Sequence, residues 1–135
     1  MANGVYDKAR EKFLNGDIDW TNDDIKAVLV DSADYSVNLA THEFLSDVPS
    51  GGRVATSGNF SSKTTTAGVA DAADLALSAV TGDPSEAVVI YKDTGSAATS
   101  PLIAYIDTAT GLPVTPNGGN INVIWDNGSN KIFKL

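Results

Sequence analysis

"INVIWDNGSNKIFKL", residues 121–135, carries the clearest architectural signal in the chain. Ile121, Val123 and Trp125 alternate with Asn122 and Ile124, a period of two that sends one set of side chains to a buried face and the other toward solvent. Asp126-Asn127-Gly128 follows, and Asn-Gly between two apolar runs is the strongest short-range hairpin signal, because both central residues of a type I′ turn need positive φ. The stretch therefore predicts a hairpin of "INVIW" against "KIFKL", with one face in the core.

Working outward, the same grammar recurs. "DDIKAVLVD", "GGRVATS", "SSKTTT", "EAVVIYKD", "PLIAYIDT" and, more ambiguously, "DAADLALSAVTG" are strand-length runs. They are separated by "DVPSGG", "TGDPS", "KDTGSA" and "TATGLPVTPNGG", which supply the Gly, Pro, Asn and Asp that turns require. In "DAADLALSAVTG" the alanines favour helix, but Leu75, Leu77 and Ala79 alternate, and strand is the reading adopted. Only Val5 to Leu14 reads as helix. Val5, Tyr6, Ala9, Phe13 and Leu14 recur at three- and four-residue spacing, with Asn3 placed to cap and Gly16 to terminate. About eight short strands after one helix predict a mainly β domain: an antiparallel β-sandwich, jelly-roll-like, with a short N-terminal helix. The 135 residues are expected to form one domain, 1–16 as the helical segment and 24–135 as the β-sandwich.

Composition narrows the chemistry. Seventeen acidic residues against nine basic give a net charge of −8, which disfavours a non-specific grip on nucleic acid or an anionic membrane. Cysteine is absent, so thiol catalysis, thiolate metal sites and disulfides are excluded. The opening "MANGVYDKAREKFLNG" is charged where a signal peptide would need an apolar run, and runs such as "AVLV" and "AVVIY" are far too short to span a bilayer.

Few residues could support a reaction. His42, in "LATHEFLSDVP", is the only histidine and lies near Glu43 and Asp47, but a lone histidine makes no His-rich zinc site and no nucleophile elbow accompanies it. It reads as a packing or hydrogen-bonding residue. Asp17, Asp19, Asp23 and Asp24 bring hard oxygen ligands together, yet an EF-hand counted from Asp17 would need Gly and Glu where Asn22 and Val28 stand. They read as a polar turn rather than a calcium site. Tyr91, Tyr105 and Trp125 could form a sugar-stacking platform, although such residues in apolar strands more often pack in the core. No catalytic residue, metal or cofactor is expected.

"VYDKAREKFLNGDIDWTNDDIKAVLVDSADYSVNLATHEFLSDVP", "GGRVATS" and "SEAVVIYKDTGSAATSPLIAYIDTATGLPVTPNGGNINVIWDNGSNKIFKL" together resemble small structural proteins of tailed bacteriophages, over Val5 to Leu135. The resemblance is one of overall pattern, including the "ATHEFLSD" loop and the "LIAYIDTATGLPVTPNGG" run. It implies a non-enzymatic capsid decoration, or cement, protein on the outside of the phage head, made in the bacterial cytoplasm. A tail or head-fibre component is the alternative role. The implied partners are the major capsid protein and further copies of the chain, as dimer or trimer. Tyr6, Arg10 and Phe13 on the amphipathic N-terminal segment are the candidate contact residues, the competing role of that segment being to cover an open end of the sandwich.

Overall fold

β-Branched and aliphatic residues dominate three consecutive-looking runs, and these form the centre of the molecule. The computed structural model describes residues 3–135. In chain order the elements are β1 (Gly4–Val5), α1 (Asp7–Asn15), β2 (Ile25–Val30), β3 (Arg53–Thr56), β4 (Val69–Ala70), β5 (Leu75–Leu77), β6 (Ala87–Lys92), β7 (Leu102–Ile106), β8 (Ile121–Val123) and β9 (Phe133–Lys134), with three short 3-10 turns between them. The main sheet has the order β1-β7-β6-β2-β3, and two ribbons, β4-β9 and β5-β8, accompany it. Every strand pairing is antiparallel. The protein is thus strand-rich with one short helix, as the turn chemistry implies.

Both faces of the main sheet are covered, which is why β2, β6 and β7 read as continuous apolar runs rather than alternating ones. Leu29, Val88 and Ile106 are cross-strand neighbours on one face. They form the floor of a trough of about 990 Å³ whose far wall includes Ile121, Val123 and Trp125. Val28, Val89 and Tyr105 share the other face. There the long β2–β3 connection lies over the sheet, with Tyr35 edge-on to Tyr105 at 6.3 Å and the Arg53 Nε donating to the Val48 carbonyl at 2.9 Å.

The N-terminus departs from the helical reading in an instructive way. Asn3 caps no helix: its Oδ1 accepts from the Asp107 and Thr108 N–H groups at 2.9 and 3.0 Å, and its Nδ2 donates to the Thr108 carbonyl. Gly4 and Val5 then extend β7, and a Cβ on Gly4 would stand 2.6 Å from Leu39 Cδ1, so any larger residue there would have to push the Leu39 side chain aside. Sheet pairing continues through the Tyr6 N–H to the Ile103 carbonyl, and α1 begins only at Asp7. Gly16 ends it as expected, at φ +80° with its N–H turned back to the Lys12 and Phe13 carbonyls.

The C-terminal hairpin is not formed. Strand β8 pairs with β5 (Leu75↔Val123, Leu77↔Ile121), and β9 with β4 (Val69↔Lys134, Ala70↔Phe133). Neither Asn127 nor Gly128 adopts the positive φ that a type I′ turn demands. Past Val123, Asp74 Oδ1 accepts the Trp125 backbone N–H at 2.9 Å and the Ala73 carbonyl accepts the indole N–H at 3.1 Å, so the chain is held to residues 73–74 instead. The alternation itself is correct: Trp125 is buried, Ile121 and Val123 half-buried, Asn122 and Ile124 exposed. "SSKTTT" is also not a strand, and only Thr64 makes a single bridge, to Asp71.

An aromatic chain ties these outer pieces together. Phe13 of α1 meets Phe133 at 6.2 Å, Phe133 meets Trp20 at 5.3 Å, Trp20 meets Phe60 at 5.8 Å, and Phe60 meets Trp125 at 5.5 Å. Trp20 donates its indole N–H to the Asp71 carbonyl, so both tryptophans anchor to residues 71–73.

Candidate functional site

Helix α1 is the element on which the sequence places the contact residues, and its nine residues divide cleanly. Ala9 is buried, Phe13 is half-buried against Phe133, and Asp7, Arg10, Glu11 and Leu14 are exposed. Those four follow the i, i+3, i+4, i+7 spacing that makes one helix face. Arg10 pairs with Asp7 at 3.0 Å and also donates to the Val5 carbonyl, while Lys12 reaches Glu43 at 2.7 Å. Leu14 is 89% exposed, the most exposed large apolar side chain described.

Tyr6 requires a correction: it has no exposed surface, so it cannot touch a partner of the folded protein. It anchors the helix instead. The Tyr6 and Tyr35 hydroxyls are 2.9 Å apart, and the Tyr35 hydroxyl is 2.8 Å from His42 Nδ1, which also faces the Asn38 backbone N–H at 3.2 Å. A backbone N–H can only donate, so Nδ1 is the acceptor and the imidazole proton sits on Nε2. The chain therefore runs Tyr6 O–H to Tyr35 oxygen and Tyr35 O–H to His42. Burial drives the Tyr6 phenol far above its ordinary range and pushes Tyr35 up to about 12, so both are neutral donors. His42 thus terminates an internal hydrogen-bond chain.

The aspartates at 17–24 make a turn and a set of separate contacts. Asp19 accepts from Thr21 and Asn22, whose side chains hold its carboxyl below the usual range. Asp23 accepts the Asp19 N–H and pairs with Lys92 at 3.1 Å, while Asp24 takes the Asn59 amide. Lys63 donates to the Asp23 carbonyl and Lys26 pairs with Asp93 at 2.8 Å. Lysines thus neutralise carboxylates where β2 starts and β6 ends. The opposite end differs: Asp31, Asp34 and Asp83 place carboxylate oxygens within 4.8 Å of one another, and Glu86 caps Ser32. None of the ion pairs found among the described residues involves these four.

The rings that a sugar platform would use are interior, Tyr91 and Tyr105 at 4% exposure and Trp125 at 7%. Among the described residues no aromatic side chain falls in the exposed class. No helix among them is long and apolar enough to cross a membrane. Models of known protein families give no match to the chain, and neither do curated proteins.

Leu14 and Tyr35 are the residues that sequence reasoning missed. Leu14 fits the apolar spacing of α1, but Phe13, one residue earlier, takes the core-facing position, leaving Leu14 about 100° around the helix. Tyr35 lies in "DSADYSVN", a turn-rich stretch with no periodicity to mark a buried ring.

Proposed function

We propose that this chain is a non-enzymatic capsid decoration protein, binding the outer surface of a tailed-phage head and reinforcing its lattice. The supporting observation is the division of α1: a helix fixed to the main sheet by a buried Tyr6 presents Arg10 and an 89%-exposed Leu14 outward. Arg is among the residue types enriched at interface anchors, and the exposed Leu14 beside Arg10 adds apolar area that a partner can cover. We also read the β5-β8 ribbon, whose β8 residues wall the trough above Leu29, as part of the reduced second layer of a sandwich. The major capsid protein is the partner in this reading, and copies of the chain occupy symmetry-related sites.

Many copies bridging neighbouring subunits need only modest free energy each, because the lattice multiplies it. Burying Leu14 contributes about 1.5–3 kcal/mol per contact, which corresponds to roughly a tenfold to hundredfold change in affinity. Copy number per purified particle, measured by mass spectrometry against the capsid subunit, tests the role. Near-stoichiometric occupancy is expected; a few copies per particle would move the protein to the tail or a fibre, and none would end the reading. Leu14→Ser is expected to lower occupancy while leaving the melting temperature unchanged.

A further inference from the structure

Four Asn-Gly pairs occur in the chain, at Asn3, Asn15, Asn117 and Asn127. This dipeptide is prone to spontaneous loss of the asparagine amide, since glycine offers little steric hindrance to ring closure. The reaction has strict needs. The backbone nitrogen of the glycine must be free of its hydrogen bond, and the asparagine side chain must be able to swing over it.

Three of the pairs fail those needs. Asn3 is clamped through both side-chain atoms to residues 107–108, within the β1–β7 pairing. Asn15 is the last residue of α1, and the Gly16 N–H is committed to the Phe13 carbonyl. Asn117 accepts the Gly119 N–H through Oδ1, and the Gly118 N–H donates to the Val80 carbonyl at 2.8 Å. Asn127 and Gly128 are different: both are exposed, and among the described residues neither the Asn127 side chain nor the Gly128 N–H has a hydrogen-bond partner.

We propose that Asn127 is the site at which the folded protein deamidates, because it alone combines an unrestrained amide with an unrestrained glycine nitrogen. The Gly128 nitrogen attacks the Asn127 side-chain carbonyl carbon. The new C–N bond closes a succinimide, and the Cγ–Nδ2 bond breaks, ammonia leaving with the proton from the glycine nitrogen. Water then adds to either ring carbonyl, opening the ring to aspartate or isoaspartate. Either product places a carboxylate next to Asp126, whose Oδ2 lies 2.8 Å from where a Gly128 Cβ would stand. The isoaspartate also lengthens the backbone at the rim of the trough that Asn127 helps to line.

The full chain, incubated in mildly alkaline buffer and sampled over weeks, tests this by peptide mass spectrometry at all four sites. In the folded protein Asn127 is expected to convert at least roughly tenfold faster than the other three, which react only through local opening. In concentrated urea the four rates are expected to converge. Asn127→Gln is expected to remove nearly all isoaspartate from the native sample. If Asn3, Asn15 or Asn117 kept pace in the folded state, or folding suppressed Asn127 as strongly as the others, the assignment would be overturned.

Discussion

Replacing Trp125 with alanine tests the central packing claim, that residues 121–125 are held by residues 73–77 and by an aromatic chain rather than by a hairpin partner. The side chain is 7% exposed, meets Phe60 at 5.5 Å, and donates its indole N–H to the Ala73 carbonyl. Truncating a buried tryptophan costs about 3–5 kcal/mol, transfer and cavity together. Against a total stability of about 5–15 kcal/mol that is a large fraction. For a chain of this size, about 3–5 °C of melting temperature accompanies each kcal/mol, so a drop of roughly 10–25 °C is expected. Trp125→Phe separates the terms: the ring contact survives while the Ala73 carbonyl loses its donor, a cost of about 1–2 kcal/mol. Urea unfolding followed by far-ultraviolet circular dichroism, with linear extrapolation, is the assay, because it does not depend on the tryptophan removed. A cycle with Phe60→Ala should return a coupling of about 0.5–1.5 kcal/mol. A Trp125→Ala protein within about 1 kcal/mol of wild type, or a cycle with no coupling, would refute the reasoning.

Other outcomes follow from the same geometry. Tyr35→Phe should cost about 1–3 kcal/mol, since it leaves the buried Tyr6 O–H without an acceptor, whereas Tyr6→Phe should cost less because Tyr35 keeps its acceptor in His42; equal losses in urea titrations would contradict the assigned direction of the chain. Burial pushes the Asp47 carboxyl up, but hydrogen bonds from the Glu43 and Phe44 N–H groups outweigh it and hold it below its usual value. A lowered folded-state value means stabilisation that is complete above the unfolded value of about 4 and is lost as pH falls through the folded one. Asp47→Asn should therefore be less stable than wild type at neutral pH, with the gap closing under acid; a gap independent of pH would disprove the linkage. Gly16→Ala should cost about 1 kcal/mol by forcing a Cβ into the left-handed region at φ +80°, read from the unfolding midpoint.

The central strands β2, β6 and β7 were legible because their apolar runs are long and β-branched, and a sheet covered on both faces asks for nothing else. Gly16 was legible as a helix end for an equally local reason. The partners of β8 and β9 were not: alternation reports which side chains point inward, but pairing is decided by contacts far along the chain, here Asp74 and Ala73 against Trp125. Asn3 could have served as a helix cap, and only the position of residues 107–108 diverts it. Tyr6 illustrates the same limit at the candidate site. An aromatic residue on an amphipathic helix suits an interface or a core equally well, and the choice rests on Tyr35, which no local pattern reveals.

The uneven placement of charge along the main sheet bears on motion rather than on contact. Asp17, just after α1, accepts a hydrogen bond from Lys92 through its carbonyl, so the helix ends at the end of the sheet where lysines offset part of the acidic charge, away from Asp31, Asp34, Asp83 and Glu86. In a field the molecule experiences a torque as well as a net force, and at physiological salt that torque acts within about 8 Å of a charged surface. A negatively charged surface repels the molecule as a whole, since it carries −8, but repels the carboxylate end most, which favours approach by the helix end. Copies standing on such a surface would face outward with their acidic ends, and two surfaces so covered would repel each other.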